Sequence, residues 1–238
     1  MEEKKKSDWL LPASILTAAI LISVSLVYSA GREGNADTAN LAGSENQNAA
    51  VPSVENLKPV SSKDHIMGDP DAPVKIVEFS DTECPYCKTF HVMLEQVVKD
   101  YDGKVAWVYR HFPLDSIHSK VRLEAAATEC AAELGGNDRF WSYIGKLLEI
   151  TPSNDGLDLA LLPQIAGDVG LDVTAFQSCL ESGKYADKIE ADLQDGILAG
   201  GRGTPYSVVI APNGRKFAIS GAQPLANIEL IIDQALEL

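Results

Sequence analysis

The sequence VKIVEFSDTECPYC at residues 74–87 combines a short apolar run with a closely spaced pair of cysteines. Residues 74–79 form a short apolar run rich in β-branched side chains, which predicts a buried strand. Pro85 suits the first turn of a helix, and apolar residues recur at helical spacing from Phe90 until the Tyr-Asp-Gly at 101–103 ends the pattern. The sequence therefore places a Cys-x-x-Cys pair between a buried strand and the start of a helix.

Cys84 and Cys87 lie where thiol chemistry is favoured. Unpaired amide donors and the positive end of the helix dipole stabilise a thiolate at a helix start, so Cys84 is the predicted nucleophile. Pro85 and Tyr86 separate the sulfurs by a spacing that lets Cys87 close a disulfide and resolve a mixed disulfide. A metal site is the competing interpretation, because His91 follows Cys87 by one helical turn and a Cys84, Cys87, His91 set suits copper or zinc.

Two further positions bear on this chemistry. Glu78 lies inside the apolar run: facing the core beneath the helix, it would have a raised pKa and exchange a proton with Cys87, whereas facing water it is an ordinary carboxylate. Thr204 and Pro205 open a later apolar strand, where proline costs a ladder hydrogen bond unless the chain turns sharply. A trans turn is the commoner form, but a cis bond there would bring the loop beside the disulfide, where it can hold an extended substrate.

The remaining periodicity predicts an α/β domain. Residues 105–110 alternate as a second strand, so strand, helix and strand form a unit with parallel strands. A helical tract follows, and we expect an all-helical insertion at about 115–200. The β pattern then returns around a Pro-Asn-Gly turn signal. The later strands and the closing helix are predicted at 206–210, 216–219 and 224–236.

The amino-terminal part differs from this domain. Residues 9–28 are uncharged, follow three lysines, and at about 1.5 Å per residue can span a hydrocarbon core of about 30 Å. We therefore expect residues 1–30 to be a retained anchor with the amino terminus inside, or a cleaved signal peptide. In both interpretations the rest of the chain is exported into an oxidising compartment. It would be membrane-anchored if the segment is retained, and secreted or periplasmic if the segment is cleaved. The composition predicts a flexible linker at 31–62 and a folded domain at 63–238.

The net charge of the chain limits which classes of partner it can bind. With 34 acidic and 20 basic side chains, the chain of 238 residues carries a formal charge of -14. Such a balance repels phosphate backbones, so nucleic-acid binding is excluded as a general function.

Together these features resemble the DsbA-like thiol oxidoreductases of the thioredoxin superfamily, which belong to the bacterial cell envelope. The resemblance rests on the strand leading into Cys-Pro-Tyr-Cys, on YRHFPL at 109–114, on Phe-Trp at 140–141 and on Gly-Thr-Pro at 203–205. It implies a thioredoxin fold over residues 63–238: a central mixed sheet with flanking helices and an inserted all-helical subdomain.

The same resemblance assigns roles to residues. It implies a cis Pro205, a substrate surface of Thr204, Pro205, Pro85 and Tyr86, and a Glu78 that tunes the buried cysteine. Cys130 and Cys179 fall on predicted buried faces of the insertion, where they would be either two free apolar thiols or a bridge. The resemblance implies a structural disulfide, which would contribute about 3 to 4 kcal/mol in the chain-entropy model.

The implied activity is the introduction of disulfides into exported proteins by exchange at Cys84 and Cys87, with the redox-active disulfide as the only cofactor and no metal. Unfolded or reduced exported proteins would be the substrates, and a membrane redox partner would reoxidise or reduce the site. Pro-Tyr between the cysteines and Thr204 before Pro205 also resemble disulfide isomerases and reductases, so the direction of electron flow has an alternative. Two other classes stay open: a metal-binding chaperone module, and a membrane-tethered scaffold with an inert disulfide at 84–87.

Overall fold

A computed structural model of the chain describes residues 51–238. The strands of this part are β1 (His65–Met67), β2 (Val74–Ser80), β3 (Val105–His111), β4 (Tyr206–Ile210) and β5 (Lys216–Ser220). The helices are α1 (Pro85–Asp100), α2 (Val121–Ile150), α3 (Leu162–Asp168), α4 (Val173–Glu181), α5 (Ala186–Leu198) and α6 (Leu225–Leu236). Short 3-10 turns lie at Val54–Asn56 and Leu159–Leu161.

The five strands form one mixed sheet in the order β1-β3-β2-β4-β5. The β2 strand is central and pairs in parallel with β3, while its pairing with β4 and the pairings at both edges are antiparallel. Helices α2 to α5 are inserted between β3 and β4. The predicted α/β fold, a thioredoxin-like mixed sheet with an inserted helical subdomain, is confirmed.

Side chains of β2 alternate between two cores. Val74 and Ile76 pack in a cluster that contains the buried face of α1, whereas Val77 and Phe79 pack in a second cluster on the other side of the sheet. Because successive strand residues point to opposite faces, Glu78 lies on the same face as Val74 and Ile76. The carboxyl group is therefore directed towards the side that α1 covers.

The long helix α2 is not continuous. Its residue Gly136 has φ 75° and ψ −168°, a conformation outside the helical region that glycine adopts without steric cost. The Gly-Gly pair at 135–136, which interrupts the helical pattern in the sequence, marks this break.

Two features differ from the sequence-based expectations. The edge strand β1 was not predicted; His65 and Met67 pair with Tyr109 and Trp107 of β3. The end of the predicted linker also packs on the domain: the Ser53 amide donates to the Leu198 carbonyl over 2.8 Å, and the Lys58 amide donates to Asp195 Oδ1 over 2.9 Å. The linker interpretation is therefore wrong for these residues, because acceptors on α5 hold their backbone.

The predicted anchor or signal peptide at 1–30, and most of the linker, lie outside the described residues. Between residues 51 and 238, no helix has the length and apolar character needed to cross a membrane.

Candidate active site

The two cysteines of the Cys-x-x-Cys pair lie at the start of α1. Cys84 is the amino-terminal cap residue, with φ −80° and ψ 120°, and Pro85 occupies the first turn. Both sulfurs are free thiols; Cys84 is 4 % exposed, Cys87 is fully buried, and the Tyr86 side chain between them is 67 % exposed. The tip of α1 thus presents an aromatic side chain to solvent directly beside a nearly covered thiol.

Hydrogen bonding favours the ionised form of Cys84. The Cys87 thiol, which donates to the Cys84 sulfur, is the largest cause; Thr204 and the backbone amides of Tyr86 and Cys87 act in the same direction, and burial opposes them. The balance lowers the pKa of Cys84 to about 6. At neutral pH this sulfur is mostly a thiolate.

Cys87 behaves in the opposite way. Burial, followed by the neighbouring Cys84 and by the charge of Glu78, raises the pKa of the Cys87 thiol well above its ordinary value. One turn of helix therefore holds a thiolate and a thiol side by side, which is the division that nucleophile and resolving cysteine require.

Glu78 lies on the buried face of β2 and is fully covered. The indole Nε1 of Trp107 donates a hydrogen bond of 2.9 Å to Glu78 Oε2, and Oε1 has no hydrogen-bond partner among the described residues. Burial is the main reason why the pKa of Glu78 rises to about 8. Of the two orientations that the sequence allowed, the structure has the inward one. Periodicity alone places Trp107 in the core and gives no sign of this hydrogen bond.

The loop before β4 comes beside Cys84. The Thr204–Pro205 peptide bond is cis, and the Cys84 sulfur lies 3.6 Å from the Thr204 carbonyl oxygen. An open groove of about 480 Å³ continues from these residues. Its walls include Gly200, Arg202, Gly203, Tyr206, Ser220 and Gly221. The structure thus brings Thr204 and Pro205 to the same place as Cys84, Pro85 and Tyr86.

The second pair of cysteines is separate from this site. Cys130 of α2 and Cys179 of α4 are joined by a disulfide with a Cα–Cα distance of 5.8 Å. Both residues are buried in the apolar core of the insertion. The free-thiol alternative for this pair is therefore wrong, and the bond links two inserted helices.

The ligand set of the metal interpretation is not assembled. His91 is buried, and its ring packs on Trp107 and Trp141 at centroid distances of 4.7 and 6.1 Å. Its Nε2 lies 3.5 Å from Glu95 Oε1. Within residues 51–238, no group of three or more His, Cys, Asp or Glu side chains converges as a metal ion requires. His91 thus belongs to an aromatic cluster under α1.

The sequence matches a known family over most of its length, and it also matches part of larger curated proteins. The family described as Thioredoxin matches residues 60–234. The Na⁺/H⁺ antiporter NhaA 3 of Salinispora tropica is 34% identical over 164 residues, which are 68% of this chain and 24% of the antiporter. The Na⁺/H⁺ antiporter NhaA 1 of Mycolicibacterium gilvum is 30% identical over 163 residues, 67% of this chain and 25% of that protein. The chain thus spans about a quarter of the length of these curated relatives.

Solved structures give the same result. The crystal structure of Pseudomonas aeruginosa DsbA2 is 27% identical, has a TM-score of 0.64, and is matched over 76% of this chain and 98% of that chain. The crystal structure of oxidised BdbD from Bacillus subtilis, 24% identical, shares the fold with a TM-score of 0.65 over 79% of this chain and 96% of that chain.

Proposed function

This chain belongs to the DsbA-like thiol-disulfide oxidoreductases of the thioredoxin superfamily, and we propose that it introduces disulfides into exported proteins by exchange at Cys84 and Cys87. The observation that carries the proposal is the contrast between the two sulfurs: the Cys84 pKa falls to about 6, while the Cys87 pKa rises well above its ordinary value. A pair with this contrast can open and close a disulfide in defined steps.

The oxidising cycle follows from this contrast. In the disulfide form, a substrate thiolate attacks the sulfur of Cys84; the Cys84–Cys87 bond breaks, and Cys87 leaves with the electron pair and takes up a proton. A second substrate thiolate then attacks the substrate sulfur of the mixed disulfide, and Cys84 leaves as a thiolate. The substrate has lost two electrons and gained a disulfide, and the protein is left as a dithiol.

The stabilised Cys84 thiolate supports the oxidase direction. Whatever stabilises the reduced form makes the disulfide a stronger oxidant, and a leaving thiolate of low pKa departs faster. Glu78, whose pKa is about 8, holds a proton at neutral pH and can donate it to Cys87 as that sulfur leaves. We assign these roles to Cys84, Cys87 and Glu78.

The proposal also includes a substrate-binding groove, a redox partner and a location outside the cytoplasm. The groove beside Thr204 and Pro205, with Pro85 and Tyr86 at the tip of α1, would hold an extended segment of an unfolded or reduced exported protein. A membrane redox partner would return the dithiol to the disulfide. The uncharged run at 9–28 supports an extracytoplasmic location. Since the chain spans about a quarter of the antiporters, their transport activity is not transferred to it.

The reduction potential tests the direction. Equilibrating the protein with glutathione and counting the free thiols at Cys84 and Cys87 gives the potential directly. We expect a value towards the oxidising end of the range for such sites, which runs from about −270 to about −120 mV. A value near −270 mV would overturn the oxidase role and favour the isomerase or reductase alternative. A Cys84→Ala variant, which cannot form the bond, is the control.

A further inference from the structure

The three residues before Cys84 are tied to the rest of the molecule by their side chains. Asp81 Oδ2 accepts from the Leu114 amide over 2.8 Å and lies 3.0 Å from His118 Nδ1. Thr82 Oγ1 donates to Glu124 Oε2 of α2 over 2.7 Å. The turn at 81–83 is fully buried, although it consists only of polar residues. Such a turn is stable only if its polar groups find partners, and the partners come from the inserted segment.

Glu83 and Glu124 form the unusual contact in this turn. Both side chains are 0 % exposed, and neither Glu83 Oε2 nor Glu124 Oε1 has an assigned hydrogen-bond partner among the described residues. The hydrogen bond from Thr82 holds the Glu124 carboxyl at the turn beside Glu83, and hydrogen bonding with Glu83 is one cause that raises the pKa of Glu124. Ionised carboxylates only accept hydrogen bonds, so this contact needs a proton on one of them. A proton held between the two carboxyls would give these oxygens a hydrogen-bond partner.

The charged groups around the pair favour retention of this proton. Asp81 adds a third acid from the same turn, and His118, from the segment after β3, is engaged with Asp81. Lys88 of α1 donates to the Thr151 carbonyl, and Lys120 donates to the Asp155 carbonyl, so both cations are bound to backbone. The Tyr143 hydroxyl of α2, which also faces Glu124, donates to the Leu162 carbonyl. None of these groups offers Glu124 a cation that would stabilise its charged form.

We propose that Glu124 is a positioning residue for Cys84: its protonated carboxyl donates a hydrogen bond to the Glu83 carboxylate and thereby holds α2 against the turn that carries the nucleophile. When Glu124 loses this proton, two buried carboxylates repel each other and the contact is lost. The inference rests on the proposed function only in that it concerns the same nucleophile. It adds a pH-dependent contact between the helical insertion and the active site.

The pH range follows from the direction of the shift. Burial, and then the hydrogen bond with Glu83, raise the pKa of Glu124 to about 8. Because the pKa is higher in the folded state than in the unfolded state, the stabilising contribution of the proton is complete below the ordinary glutamate pKa of about 4.3. It is lost as the pH rises through about 8. The contact is therefore closed at neutral pH and opens in mild alkali.

Glutamine at position 124 separates this role from a purely structural one. In Glu124→Gln the side-chain amide can still donate to Glu83, but it cannot ionise, so the variant mimics the protonated state. Glu149→Gln, which removes an exposed carboxylate from the same helix, is the matched control. Two properties of the reduced proteins are measured between about pH 5 and 9: the rate constant for alkylation of Cys84 by iodoacetamide, and the free energy of unfolding in urea.

In the wild type and in Glu149→Gln, we expect an inflection near pH 8 in the Cys84 rate constant, corrected for its thiolate fraction. In Glu124→Gln we expect the inflection in the rate constant to be absent. The free energy of unfolding should also depend less steeply on pH over this range, because one titrating group has been removed. Glu78 titrates in the same range, so the difference between variants, rather than the wild-type curve, carries the result. Profiles of Glu124→Gln that superimpose on the wild type, or a uniform loss of stability with the inflection unchanged, would overturn the proposal.

A second variant keeps the test decisive if Glu124→Gln does not fold. Glu83→Gln removes the carboxyl group paired with Glu124 and leaves Asp81 as the remaining acid of the turn, so the inflection should move to lower pH; an unmoved inflection would contradict the pairing. Neither measurement requires turnover of a protein substrate. Failure of the oxidase proposal would therefore leave this result unaffected, and the reverse also holds.

Discussion

Cys84 and Cys87 differ in protonation because their surroundings differ, although they share one turn of α1. Cys84, at the helix start, is surrounded by hydrogen-bond donors, whereas Cys87 and Glu78 are buried where charge is poorly solvated. The carboxyl beneath the helix therefore stores a proton close to neutral pH. Its role can be tested in a variant that keeps both cysteines.

Replacing Glu78 by Gln keeps the shape of the side chain but removes the exchangeable proton. At pH 7 we expect the step in which Cys87 leaves, or attacks the mixed disulfide, to slow on the order of 10²-fold, as is typical when an acid–base group is removed. The first attack by Cys84 should be nearly unchanged, because at neutral pH Glu78 is mostly uncharged in the wild type. Stopped-flow measurement of both steps between about pH 5 and 9 checks this expectation.

Glu95→Gln supplies the control for that experiment, because it removes an exposed carboxylate from α1. If Glu78→Gln and Glu95→Gln show the same rates for both steps over the whole pH range, the proton of Glu78 has no role in the exchange.

Some of these residues could be assigned a role from the sequence, and others could not. Cys84 and Cys87 follow from a motif that is local in the chain, whereas the strand pattern places Glu78 in the strand but leaves open which way it faces. Trp107 and Glu124 could not be assigned roles in this way, since their partners Glu78 and Glu83 are distant in sequence. Both contacts depend on strand register and on the placement of helices, and no local sequence pattern predicts either contact.

Helix α5 reaches the sheet on the face opposite α1 through a glycine. A Cβ atom at Gly196 would lie 2.6 Å from Phe112 Cδ2 and 2.8 Å from Phe79 Cδ1, and both rings are buried. The close approach of α5 to β2 therefore depends on the missing side chain.

We expect Gly196→Ala to lower the free energy of unfolding by about 1 to 3 kcal/mol, because overpacking against two buried rings outweighs the gain in helix propensity. Gly145→Ala, inside α2, is the matched control: its Cβ would lie 4.0 Å from His91 Nε2, an ordinary contact. The control should be neutral or stabilising by about 0.5 to 1 kcal/mol. Urea unfolding measures the free energy of unfolding of both variants. Equal values for Gly196→Ala and Gly145→Ala would show that α5 can shift to accommodate a methyl group.

Four of the five strands were predictable from the sequence, and the three-residue edge strand was not. The pattern at 74–79 corresponds to β2 (Val74–Ser80), and the pattern at 105–110 to β3 (Val105–His111), because buried strands leave continuous apolar runs. The three-residue β1 is too short to show a period. The packed segment at 53–58 has the composition of a linker, and its order comes from acceptors on α5.

The molecule as a whole places its active site where the sheet domain meets the helical insertion. The turn before Cys84 receives partners from α2 and from the segment after β3, and the insertion is itself linked by the Cys130–Cys179 bond. The insertion thus supports the nucleophile as well as covering the sheet. An acidic surface, from a net charge of -14, would favour encounters with neutral or basic unfolded chains.

In the proposed exchange, Cys84 forms a covalent mixed disulfide that Cys87 resolves. The most direct test uses a reduced Cys87→Ser variant mixed with a disulfide-bonded peptide: the Cys84 thiolate attacks one peptide sulfur, the other peptide thiolate departs, and the adduct cannot be resolved. Mass spectrometry should find one peptide attached at Cys84, and none on a Cys84→Ser variant whose Cys87 stays buried and protonated. An adduct on Cys87 at the same rate, or no adduct on either variant, would contradict the proposed exchange.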